Sequence, residues 1–322
     1  MVLPCGKCLL RPLWGARTIG FAYRAGPLVS TSSHVIKTIL VPTSGSDTDK
    51  SVFDAAFAMG RSLGAHLSFF HVNLSPVAAA AHAHLEFCQG PELANALEGL
   101  LQHEQHRSAQ ARKHFQAFCG ENQVPVHEVP SGTDQISASW LEQTDQAEQR
   151  LLFRARHHDL VVVGRRRGGD HLPATLIESL LVHSGRPLLI APPSPSRSHS
   201  GTVVVGWKET AEAARSLAFA LPILKQAKNV IVLAVSERGA SSGEELADCA
   251  RQLAWHGIIA DFEVVGDGSR PAAIELAEAA ARRHAELLVV GGFGHGQLRE
   301  FIFGGVTRAL IEHADLPVFM AH

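Results

Sequence analysis

HAELLVVGGFGHGQLREFIFGGVTRALIEHADLPVFMAH, residues 284–322, has a counterpart in HHDLVVVGRRRGGDHLPATLIESLLVHSGRPLLIAP, residues 157–192. Each begins with a short continuous apolar run ending in glycine, Gly291 in one and Gly164 in the other. A loop follows, then an amphipathic stretch ending in histidine, His313 or His183, then a last apolar run just after a proline. Continuous apolar runs that alternate with helical patterns belong to parallel strands covered on both faces. The chain therefore reads as two copies of one α/β unit.

Working outward, the opening of each copy repeats as well. VIKTILVPTSGSDTDKSVFDAAFAMGRSLGAHLSFFHVN, from Val35, is strand, Ser/Gly/Asp turn, amphipathic helix and strand. GTVVVGWKETAEAARSLAFALPILKQAKNVIVLAVSE, from Gly201, follows the same order. The fold class expected is α/β, two tandem doubly wound parallel sheets of five strands each. A basic extension at 1–34 precedes the first domain, 35–193; a Pro/Ser linker at 194–200 leads to the second, 201–322. The first copy also carries a helical insertion, about Ser75 to Gly120. Leu93, Leu97, Leu100 and Leu101 form an apolar stripe in it, expected to pack on the copy's own sheet, with dimer contact as the lesser alternative.

Bulk properties exclude several classes. A formal charge of -2 and 6% aromatic residues give no signature of nucleic-acid binding. No run reaches the roughly 18 apolar residues of a membrane span. Residues 1–34 hold Lys7, Arg11, Arg17 and Arg24 and no acid, a composition shared by organellar transit peptides and by dispensable extensions; the latter is preferred. Five irregularly spaced cysteines suit a reducing cytoplasm, with Cys88, Cys119 and Cys249 read as buried thiols. The 19 histidines lack metal-ligand spacing, and no nucleophile elbow or paired carboxylate appears.

The chemistry concentrates in the loop after LLVV. Gly291, Gly292, Gly294 and Gly296 come first, His295 stands among them, and Gly304 and Gly305 precede the next helix. Glycines at the carboxyl end of a parallel strand let backbone amides approach phosphate oxygens, and a helix N-terminus adds a favourable dipole. The same glycines would also make a tight strand-to-helix turn.

This spacing, Gly291-x-x-Gly294-x(9)-Gly304, resembles the motif of the universal stress protein family in its tandem two-domain form. The resemblance covers residues 35–322 and is strongest over the last forty. It implies an adenine nucleotide α-hydrolase-like sheet, ATP or AMP as ligand in some members, and self-association, either as a homodimer or by pairing of the two domains within the chain. Carried onto this sequence, the nucleotide contacts would be Gly291, Gly294, His295, Gly296, Gly304, Gly305, Thr307 and Lys208. Two departures stand out. Gly305 replaces the family's hydroxyl residue, with Thr307 close by to compensate. Lys208, and Ser44 in the first copy, stand where the nucleotide-binding branch has an Asp, which counts against Mg2+. The first copy has lost more of the motif, keeping Gly164 but placing Arg167 and Ala174-Thr175 at the other positions. A nucleotide-responsive stress or signalling protein is the expected function. A non-binding interaction or chaperone-like scaffold is the alternative, and any enzymatic activity is at most a slow ATPase.

Overall fold

In the computed structural model, residues 35–74, 90–130, 132, 134–165, 175–193, 200–235, 243–266, 269–292 and 305–322 are described. The expectations for the extension at 1–34, most of the linker, Cys88, Arg167, Ala174, Gly294, His295, Gly296 and Gly304 lie outside them.

The first five strands are β1 (Thr38–Thr43), β2 (His66–Leu74), β3 (Ser137–Asp145), β4 (Leu160–Gly164) and β5 (Leu188–Ala191). Their counterparts are β6 (Thr202–Trp207), β7 (Asn229–Val235), β8 (Ala260–Val265), β9 (Leu287–Gly291) and β10 (Val318–Ala321). The connecting helices are α1 (Asp49–Leu63), α2 (Gly90–Glu121), α3 (Ala147–Ala155) and α4 (Leu176–His183) in the first half. In the second they are α5 (Ala211–Leu224), α6 (Gly243–Trp255), α7 (Ala272–Arg282) and α8 (Gly305–His313).

The two sets of five strands meet edge to edge in one ten-stranded sheet, ordered β3-β2-β1-β4-β5-β10-β9-β6-β7-β8. All neighbours are parallel except β5 and β10, which pair antiparallel through Leu189 opposite Phe319. Both strands are short and wholly buried, so each satisfies on the other the hydrogen bonds that an open edge would leave bare. Residues 34–322 accordingly form one compact unit.

Alternation along the strands builds two apolar layers. Ile39, Val41, Leu67, Phe69, Val203, Val205 and Phe319 face α1, α2, α5 and α6. Leu40, Phe70, Val161, Val204, Val290 and Met320 face α3, α4, α7 and α8. Cys119 and Cys249 are buried in the first layer, as expected, and burial pushes both thiols up to about 11.

The supposed insertion is the β2-to-β3 crossover helix itself, α2, 32 residues long against 13 in its counterpart α6. Its expected leucine stripe is not the buried one. Leu97 and Leu100 are half-buried and Leu101 is 40% exposed, whereas Glu104, Arg107, Ala111, Phe115, Phe118 and Cys119 face inward. The buried face starts with a charged pair, which a reading by apolar periodicity passes over.

Candidate functional site

In a doubly wound sheet, ligands bind beyond the carboxyl ends of the strands where the order reverses. The two such points here lie between β1 and β4 and between β6 and β9. The two are built differently.

In the first half, β1 runs into Ser44 and Gly45, and α1 begins at Asp49. Asp49 is 2% exposed; its Oδ1 accepts from the Ser44 amide and hydroxyl, each at 2.8 Å, and its Oδ2 from the Gly45 amide at 2.9 Å. His114 Nδ1 lies 3.4 Å from the same Oδ2, a contact that raises the imidazole's proton affinity. From α2, Arg107 donates to the Ser44 carbonyl at 3.4 Å, to the Val72 carbonyl at 3.1 Å and to Glu104 at 2.5 Å. Arg107 thereby ties the ends of β1 and β2 together. Gly45 has φ +78° and lies under α2, where an added Cβ would stand 2.4 Å from the Arg107 carbonyl oxygen. His71, fully buried, donates from Nδ1 to the Thr43 carbonyl at 3.0 Å, stacks on Trp140, and leaves Nε2 without a partner. Burial, then the charge of Arg107, lowers its proton affinity. Thr43, Ser44, Asp49, His71, Glu104 and Arg107 are all buried, so the protein's own side chains fill this strand end.

In the second half the first-turn acid of α5, Glu212, is likewise buried, 1% exposed, beside Gly291, and the rest of the strand end differs. Lys208 is exposed in the turn after β6, and its carbonyl accepts from the Thr210 amide at 2.7 Å. Thr210 caps α5, its hydroxyl accepting from the Ala213 amide at 3.2 Å. Gly206 pairs with Val290, so Trp207-Lys208 and Gly291-Gly292 leave the sheet side by side. A Cβ on Gly291 would stand 2.6 Å from the Ala213 amide nitrogen, so only glycine lets the first turn of α5 press on the strand end. A Cβ on Gly292 would stand 2.7 Å from Leu181 of α4 in the first half. The Gly292 amide donates to the Ala321 carbonyl at 2.8 Å, and its carbonyl accepts from His322 Nδ1 at 3.1 Å.

Of the candidate contacts, Lys208 and Gly291 thus share one strand end, Gly305 opens α8, and Thr307 is buried on that helix. No group of three His, Cys, Asp or Glu side chains suited to a metal ion occurs among the described residues. Sequence reasoning missed Asp49, Arg107 and Glu104. Asp49 carries a recognisable signal, being the acid in the first turn of a helix that follows a Ser-Gly turn.

No curated protein matches the chain in sequence. A universal stress protein from Archaeoglobus fulgidus DSM 4304 superposes with a TM-score of 0.63 at 15% identity, covering 90% of this chain and 99% of that one. A putative universal stress protein from Pseudomonas aeruginosa UCBPP-PA14 superposes at 0.54 and 15% identity, over 89% and 93%. A functionally unknown protein from P. aeruginosa PAO1 gives 0.54 and 14%, over 89% and 92%. These likenesses establish the fold across both halves. Residues 200–322 also match the model of the universal stress protein family in sequence, so the second half of the chain is a universal stress protein domain, joined to a first half of the same fold.

Proposed function

We propose that the second half binds one adenine nucleotide, ATP or AMP, at the carboxyl ends of β6 and β9, and that the first half is a scaffold without a nucleotide site. The observation that carries this reading is the asymmetry of the two strand ends. One is filled by Asp49, Glu104 and Arg107; the other has one buried acid, Glu212, and presents an exposed Lys208 beside Gly291 and the N-terminus of α5. An ammonium and a helix N-terminus both favour phosphate. Backbone amides of the glycine segment, Gly291, Gly294, Gly296, Gly304 and Gly305, would take phosphate oxygens, with the side chains of His295 and Thr307 as further contacts. A cation at Lys208 does not suit Mg2+, so binding is metal-independent. The protein then acts as a nucleotide-responsive stress or signalling component.

One observation favours the alternative of an interaction scaffold: Gly291 and Gly292 each have a packing reason to be glycine. Calorimetric titration of ATP and AMP into the full chain, with and without magnesium, separates the two. The expected result is one saturable site per chain, unchanged by magnesium and lost in Gly294→Arg. A folded parent that binds neither nucleotide would overturn the proposal in favour of the scaffold.

A further inference from the structure

The two halves differ at a second place, away from the strand ends. On the sheet face under α3, the first half has a cleft of ≈ 450 Å³ lined by Leu40, Ser68, Phe70, Ser139, Leu141, Arg154 and His158, with exposed Glu128 at its rim. That volume is within the range of small-molecule sites, about 300–1,000 Å³. Strand register gives the equivalent positions in the second half. Ser68 pairs with Ser139 and Phe70 with Leu141; Ile231 pairs with Asp261 and Leu233 with Glu263. There Ile231 and Leu233 stand in place of Ser68 and Phe70, and Glu263, in place of Leu141, pairs with Arg283. In the first half, two small hydroxyl side chains replace Ile231 and Asp261, which leaves the space open.

The cation over the cleft is not paired with the one acid at its rim, Glu128. Arg154 lies 5.5 Å from the centroid of the Phe70 ring, its Nε is buried without a hydrogen bond, and it is in no ion pair among the described residues. Burial, followed by the neighbouring charge of Arg150, lowers the guanidinium's proton affinity, as expected of a cation short of counter-charge. Polar groups continue beside it. His158 donates from Nδ1 to the Arg154 carbonyl at 2.7 Å, leaving Nε2 for a ligand. His66 bridges the Ser137 and Ser139 hydroxyls at 2.8 and 2.9 Å. A partly buried guanidinium beside hydroxyl groups and an imidazole, above an apolar floor, recognises a carboxylate attached to an apolar body.

We propose that this cleft binds a small organic carboxylate, its anionic end on Arg154 and the Ser68 and Ser139 hydroxyls, its apolar end on Leu40, Phe70 and Leu141. The site is independent of the nucleotide reading, since it lies on the other half of the chain.

The test is ligand-observed NMR on the full chain with phenylacetate and hexanoate, each paired with its neutral amide. At least one acid is expected to bind saturably, and its amide about tenfold or more weaker. Arg154→Gln should weaken the acid by about tenfold and leave the amide unchanged. Ser68→Ile, which installs the second half's residue, should abolish binding while keeping the fold by circular dichroism. Equal binding of acid and amide, indifference to either substitution, or no binding to the folded parent each overturn the proposal.

Discussion

Asp49 gathers three donors and an imidazole into a site with 2% exposure. Removing a buried carboxylate strands its partners, so Asp49→Ala should cost about 3 kcal/mol, read as a lower urea midpoint at unchanged slope. Histidines add a dependence on pH. Burial holds His66, His71 and His158 below the ordinary 6.5, so the unfolded chain binds more protons than the folded one as pH falls below that value. His114 works in the opposite sense, since its bond to Asp49 stabilises the fold below 6.5 and is lost as pH rises through its raised value. Three groups oppose one. The urea midpoint should fall between about pH 7.5 and about pH 5.5, and His71→Asn should flatten that slope. At this scale the sequence showed the glycines and Lys208 but not the buried acids and bases. Glu104 and Arg107, three apart on a helix, spell the same text as an exposed surface pair, and only the tertiary contact of α2 with β1 and β2 buries them.

Helix α2 meets the ends of β1 and β2 through that pair. Arg107→Met alone leaves Glu104 buried without its cation and should destabilise by about 3–5 kcal/mol; adding Glu104→Leu should recover most of the loss, measured in a double-mutant cycle. At α5 the controlling residue is a glycine. Gly291→Ala puts a methyl group 2.6 Å from the Ala213 backbone nitrogen, which no side-chain movement relieves, and should cost about 2 kcal/mol in thermal unfolding. Most elements were legible because apolar runs such as LLVV and amphipathic stretches such as α1 and α5 each have one interpretation once they alternate. The face of α2 was not. Its outer leucines, half-buried or exposed, imitate a core stripe, and its true inner face begins with charge.

Across the whole molecule, both apolar layers pass without interruption from one half to the other, Leu189 and Phe319 in one, Ile190 and Met320 in the other. Such a seam couples the halves. Calorimetry should show one unfolding transition, and Leu189→Asp should raise hydrogen exchange in β7 as well as in β2; two independent transitions would contradict this. Repetition made the two five-stranded units readable in advance. The meeting of β5 with β10 was left open between a homodimer and pairing within the chain, because four-residue apolar strands carry no mark of their neighbour.

The antiparallel seam has one more result. Helices α1, α2, α5 and α6 share a side of the sheet, so the halves are related by a pseudo-twofold axis normal to it, between β5 and β10. Such an axis turns one half end over end. The carboxyl ends of β1 to β5 therefore open on one rim of the molecule and those of β6 to β10 on the opposite rim. The rim of Lys208 and Gly291 and the rim sealed by Arg107 and Asp49 thus face opposite poles of the molecule.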